Sequence, residues 1–193
     1  MTPEILRILG ECFGAAAIAE GFCIYCSRTR QRILIFKVIS DLLWCCNYLC
    51  LGNLTGALLN VVGMTRETVF YLRDKKKFFA SPLWLLLFLI ATAASPTYSL
   101  LSGKEGLLAL LPAAGSTLST VGFYQQKPQR IRVIGLAVQT LWLLYSLFSH
   151  NLTATVGNTV MIVSSLAGMQ RAAAVKKAAS SESSGDSLPR PGK

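Results

Sequence analysis

The amino-acid sequence predicts an all-α integral membrane protein: seven transmembrane helices in a 3+1+3 parallel repeat, N-terminus outside and C-terminus cytoplasmic. Three observations predict it. Apolar residues make up 52% of the 193 positions and charged residues only 15%, with a mean hydropathy of +0.48; an ordinary soluble domain carries about 25% charge. The 19 basic and nine acidic side chains sit in clusters between long apolar runs. Finally, two long segments of the chain repeat one another.

The apolar runs define the spans. Helix 1 is expected over about 5–27, helix 2 over 33–51 and helix 3 over 54–72. Helix 4 follows over 83–102, helix 5 over 106–126, helix 6 over 131–150 and helix 7 over 152–170. Each is long enough to cross a hydrocarbon core of about 30 Å at about 1.5 Å per residue. A soluble bundle would show a polar stripe on each helix; the stretch from Leu83 to Leu101 has no charge at all. Helix 1 carries Glu11 and Glu20, a poor signal-peptide core, and is read as a retained span.

Basic residues alternate sides. Arg28, Arg30 and Arg32 link helices 1 and 2; Arg73, Lys75, Lys76 and Lys77 link 3 and 4; Lys127, Arg130 and Arg132 link 5 and 6; Arg171, Lys176 and Lys177 follow helix 7. The opposite side shows only Arg7 and Lys104. The positive-inside rule therefore sets the orientation. The Ser/Gly/Pro-rich end is expected to be a disordered cytoplasmic tail over 176–193. Charge dispersed over separate loops, without aromatics gathered on one module, excludes a nucleic-acid binder.

Residues 31–73 and 129–171 align without a gap at a shift of 98, with 12 of 43 positions identical. The identities include Trp44 with Trp142, Asn60 with Asn158, and Asn53-Leu54-Thr55 with Asn151-Leu152-Thr153. The organisation expected is a first three-helix repeat over 1–80, a linker helix over 81–103 and a second repeat over 104–175. An odd-numbered unit ends on the side opposite its start, so the linker helix keeps the two copies parallel, a plan known among transporters.

These repeated segments resemble the YgjV-like bacterial inner membrane proteins, from about residue 10 to residue 171. That resemblance implies a multi-pass protein of the inner (plasma) membrane and no established substrate. The 3+1+3 plan also resembles, more remotely, the SWEET, SemiSWEET and PQ-loop carriers. Their three-helix units place a Trp on the second helix and an Asn on the third in a central pocket, which implies the same role for Trp44, Asn60, Trp142 and Asn158. The group's proline–glutamine pair in the first helix of each unit is absent here: helix 1 has no proline after Pro3, and in helix 5 Pro112 precedes Ala113.

Depth arithmetic puts the four side chains in one layer, about 10 Å below the outer surface. An amide offers donors and an acceptor to a hydroxylated solute, and an indole covers the apolar face of a sugar ring. The bland reading is that the Asn bonds a neighbouring helix and the Trp packs or anchors. A second group, Glu20, Lys37, Asp41, Arg66 and Glu67, lies in the cytoplasmic halves of helices 1–3. Such residues face a bundle interior and pair. Their counterparts Gly135, Gln139, Ser164 and Ser165 are neutral. The group reads as an inner gate or proton-coupling site, or as a static salt-bridge network.

Cys23-x-x-Cys26 has ligand spacing but no second pair, so helix packing is the preferred role and no metal or other cofactor is expected. With one histidine, His150, and no nucleophile motif, the chain lacks the parts of an enzyme. Asn53-Leu54-Thr55 and Asn151-Leu152-Thr153 read as turn and cap chemistry, Pro96 as a kink in helix 4, and Lys75-Lys76-Lys77 as a contact for anionic lipid. The expected function is a carrier or facilitator for a small polar, sugar-like solute within the lipid bilayer. The alternative is a non-transport receptor or assembly module on the same scaffold.

Overall fold

The structure, a computed structural model, describes residues 2–52, 54–101, 110–148 and 152–185. Among them the chain forms seven α-helices: α1 (Pro3–Cys26), α2 (Arg30–Cys50), α3 (Leu54–Leu72), α4 (Leu83–Leu101), α5 (Leu110–Tyr124), α6 (Pro128–Phe148) and α7 (Leu152–Gly185). A short 3-10 turn, Lys77–Ala80, precedes α4. Local chemistry explains several boundaries. Pro3 and Pro128 stand at first-turn positions, where a missing N–H costs nothing. Thr29 caps α2 by accepting from the Arg32 N–H at 3.3 Å. Gly52, at φ 73°, takes the left-handed conformation that ends α2.

The helices depart from expectation at several ends. Both α2 and α6 open three residues early, at Arg30 and Pro128 rather than at 33 and 131. At the far end α7 does not stop near Gln170 but continues to Gly185. Residues 176–185 are thus helical where a disordered tail was expected; the alanines at 172–174 and 178–179, with Lys176 and Lys177, are strong helix formers. Residues 186–193 lie outside the described residues, as do Asn53, Lys104, His150, Asn151 and the side chains of Thr55 and Pro96. The helix α4 stays continuous past position 96.

Packing follows a ring. α2 lies between α1 and α3, and α6 between α5 and α7. The two trios close on each other where α1 packs along α7 and α3 touches α5; α2 and α6 meet across the middle, and α4 rests outside, chiefly on α5. Small residues allow the close approaches. At Gly135, α6 leaves only enough room for the Tyr25 ring of α1. At Gly168, α7 comes so near the Tyr25 carbonyl that no side chain would fit.

The bundle is inside out by the standards of a soluble protein. Ile8, Leu86, Ile90 and Phe148 are more than half exposed, within a larger set of outward-facing apolar residues. Asp41, Arg66, Glu67, Thr120, Gln139, Ser164 and Ser165 are buried. Only an apolar solvent makes that arrangement favourable. Among the described residues, Pro3–Cys26, Arg30–Cys50 and Pro128–Phe148 are long and apolar enough to cross a membrane, and the Leu83–Ala94 stretch of α4 is a shorter apolar segment. The apolar core, built on Ile24, Tyr25, Ile33, Leu34, Phe70, Phe123 and Ile131, lies at the end bearing the α1–α2 and α5–α6 links. That end is called the basic end below.

Candidate functional site

The charged residues of the first trio converge on the interior. On α2, Lys37 Nζ pairs with Asp41 Oδ1 one turn away. On α3, the Arg66 guanidinium donates to Glu67 Oε1 through Nε at 3.0 Å and Nη2 at 2.6 Å. Successive helix residues normally point apart; here the long Arg66 side chain bends back to meet its neighbour. Its remaining arm, Nη1, donates to Thr120 Oγ1 of α5 at 2.9 Å, and the guanidinium stands 5.7 Å from the Phe123 ring centroid. Arg66 thus joins the two trios through the centre. Glu20 of α1, half-buried, lies beside Lys37, Ser40 and Asp41.

The second trio answers with neutral polar groups. Gln139 lies beside Tyr25, and Gly135 makes room for that ring. Ser164 Oγ donates to the Phe22 carbonyl at 2.5 Å, and Ser165 is fully buried. In the sequence alignment at a shift of 98, Gly135, Gln139, Ser164 and Ser165 stand opposite Lys37, Asp41, Arg66 and Glu67, and in the structure these neutral residues lie across from the charged ones. Sequence reasoning missed Thr120, Tyr25 and Ser40 as members of this centre. A lone Thr, Tyr or Ser in an apolar helix carries no pattern; only the rotation of each helix about its axis brings them inward.

Not every acceptor in the centre is used. Glu20 Oε1 and Oε2, Asp41 Oδ2 and Glu67 Oε2 are buried without a hydrogen-bond partner. Burying an acceptor unpaired costs about 1–3 kcal/mol, more for a charged group.

The four Trp and Asn positions are all half-buried. The Trp44 ring reaches α7 at Gly157, the residue before Asn158; Cζ2 stands 3.6 Å from where a Gly157 side chain would begin. Trp142 instead lies on α5, its Nε1 2.9 Å from the corresponding position at Gly115. Tyr48 flanks Trp44 and Tyr145 flanks Trp142, at 6.1 and 5.9 Å between ring centroids. The two clefts described, of about 250 and 480 Å³, lie at the basic end. Their walls include Gln129, Arg130, Arg132 and Lys176, and none of the four.

Several link arginines are structural. Arg30, 5% exposed, donates to the carbonyls of Gln125 at 2.7 Å and Phe70 at 2.9 Å and pairs with Asp74 at 2.6 Å. Arg73 takes the Tyr124 carbonyl at 2.8 Å and covers its ring at 3.8 Å. In return Arg132 of α6 donates to the carbonyls of Tyr25 at 2.8 Å and Ser27 at 2.6 Å. The last carbonyls of a helix have no partner within it and attract cations. Each trio's middle helix therefore caps the first helix of the other trio. Lys75 is also engaged, donating to the Tyr71 hydroxyl at 2.7 Å. All six cysteines are free, and among the described residues no group of three or more His, Cys, Asp or Glu could hold a metal.

An apolar exterior around a charged, hydrogen-bonded centre defines a membrane protein with a polar interior. The chain belongs to the Imp-YgjV family of bacterial inner membrane proteins, whose family model matches residues 8–176. It is accordingly a multi-pass protein of the bacterial inner membrane, in contact with the lipid bilayer. No curated protein and no solved structure matches the chain.

Proposed function

We propose that this protein is a carrier or facilitator for a small polar, sugar-like solute, working by rocking of one three-helix unit against the other. In this reading all seven helices span the bilayer as a parallel 3+1+3 repeat, with the N-terminus outside and the basic end in the cytoplasm. The remote likeness to the SWEET, SemiSWEET and PQ-loop plan belongs to the same proposal. The observation that carries it is the polar seam between the trios, where Arg66 of α3 bonds Thr120 of α5 inside an apolar shell. Ionisable residues at such depth are expensive and mark solute or ion pathways. Trp44, Asn60, Trp142 and Asn158 are the proposed solute contacts, and the solute leaves chemically unchanged, without an enzymatic step.

The test is counterflow of labelled hexoses, pentoses and disaccharides in proteoliposomes. Saturable counterflow is expected for at least one sugar, and its loss in Trp44→Ala and in Asn158→Ala. No counterflow across the panel would refute a sugar carrier; unchanged flux in both variants would remove the proposed contacts. A second reading, a receptor or assembly module, draws on the position of the two clefts. Both open at the basic end, away from the Trp and Asn residues.

A further inference from the structure

Within the central network, Glu20 of α1 is the acid that no base holds. Asp41 Oδ1 accepts from Lys37, and Glu67 Oε1 accepts from Arg66. Arg66 gives its remaining arm to Thr120. Glu20, by contrast, has neither oxygen in a hydrogen bond. Both oxygens are nevertheless buried, although the stem of the side chain is partly exposed. The carboxyl group is thus turned inward from a stem at the bundle surface. It lies six residues before Cys26, the last residue of α1, or about 9 Å along the helix.

The charges around it do not balance. From α2, Glu20 is faced by Lys37, Ser40 and Asp41. The other helix packed along α1 is α7, which meets this level with Met161 and Ser164, neither of them charged. On α3, Arg66 and Glu67 pair with each other and cancel. Tyr25 of α1 is a phenol near the same centre. What remains is one base, Lys37, beside two acids. Lys37 is bonded to Asp41, one turn away on its own helix. If both acids ionised, one negative charge would be left in a site where nothing solvates it, and that is unfavourable. Asp41 has a cation on one oxygen to stabilise its charge and Glu20 has none, so the neutral acid is Glu20.

We propose that Glu20 is a proton-binding site: its carboxyl group carries a proton at neutral pH, and Lys37 stays with Asp41 while that proton is bound. Neutral Glu20, Lys37 and Asp41 then sum to zero charge. Release of the proton to water makes Glu20 a second anion competing for Lys37, and draws the ammonium group from α2 toward α1. The proton therefore sets whether Lys37 serves within α2 or ties α2 to α1. The site stands whether or not a solute moves, since what it predicts is a protonation and not a flux.

The test is infrared titration of the purified full-length protein in lipid, reading the carbonyl band of a protonated carboxylic acid. Near neutral pH the band is expected to hold a component that carboxyl-labelled glutamate shifts and that Glu20→Gln removes. Labelled aspartate is expected to leave that component in place. Asp41→Asn frees Lys37 for Glu20 and is expected to lower the component's midpoint by about 1–3 pH units. Replacing sodium by choline is expected to leave the midpoint unmoved. The proposal is overturned if the unchanged protein shows no band, if labelled aspartate shifts it and labelled glutamate does not, or if Glu20→Gln leaves it undiminished. An unmoved or raised midpoint in Asp41→Asn also overturns it. So does a sodium-dependent midpoint, which would make the ligand an alkali cation. The glutamine amide reproduces the neutral acid, so failure of Glu20→Gln to fold counts against the proposal as well. The isotope measurement uses the unchanged protein and separates the two acid types whatever the variants do.

Discussion

Arg30 offers the sharpest test of how the two trios are held together. Replacement by alanine removes a buried guanidinium that serves α2, the end of α3 and the end of α5 at once. Its two short bonds to backbone carbonyls, 2.7 Å to Gln125 and 2.9 Å to Phe70, carry most of the effect. A charge-assisted bond contributes about 1.5–3 kcal/mol. The contact with Phe123 at 3.4 Å is too long to add much. Asp74 keeps 28% of its side chain exposed and regains water when its partner is lost, so its share is small. The expected loss is about 4 kcal/mol. Arg30→Lys keeps the charge and the Asp74 pairing but cannot span both carbonyls, and should recover no more than about half of that. Arg28→Ala, at an exposed position in the same link, should change stability by less than about 0.5 kcal/mol. The assay is reversible unfolding in mixed detergent micelles, followed by helical circular dichroism. A loss below about 1 kcal/mol in Arg30→Ala, or full recovery in Arg30→Lys, would refute the capping argument.

Three further outcomes follow from the same contacts. Gly168→Ala places a methyl group against the Tyr25 carbonyl and 2.8 Å from Arg132 Nε. Because the first obstacle is backbone, the α1–α7 seam should open and monodisperse protein should be lost in size-exclusion chromatography; a normal profile would contradict the packing described. Thr120→Val strips Arg66 Nη1 of its acceptor and should cost about 1–3 kcal/mol in the same unfolding assay, whereas Thr120→Ser should be nearly neutral; equal effects would show that the hydroxyl does not matter. Reporter tags at the two ends of the chain should be accessible from opposite faces of inverted and right-side-out vesicles, and labelling from one face only would defeat the seven-span topology.

Much of the helical plan was readable in advance because a long apolar run has one stable outcome in a lipid-like solvent. The boundaries missed are ones that local rules could have caught: Pro128 suits a first helical turn, and the alanine-rich stretch after Gln170 favours continuation of α7. The inward placement of Lys37, Asp41, Arg66 and Glu67 was also legible, since a charge at that depth has nowhere else to go. Arg30, Arg73 and Arg132 were a different matter. Read as loop charges that set orientation, they proved to cap helices of the neighbouring trio or link. Residue counting places Trp44 and Trp142 at one depth, but it does not reveal that they turn to different neighbours, Gly157 and Gly115.

Composition and periodicity determined that apolar helices would form and that their few charges would be drawn inward, because transfer free energy depends on residue type and on position along each helix. Which polar groups meet was decided only in the folded bundle. The Arg66–Thr120 bond and the reciprocal arginine caps depend on the rotation and close approach of helices far apart in the chain. Those are set by how small residues interlock across many contacts at once, a property of no single segment.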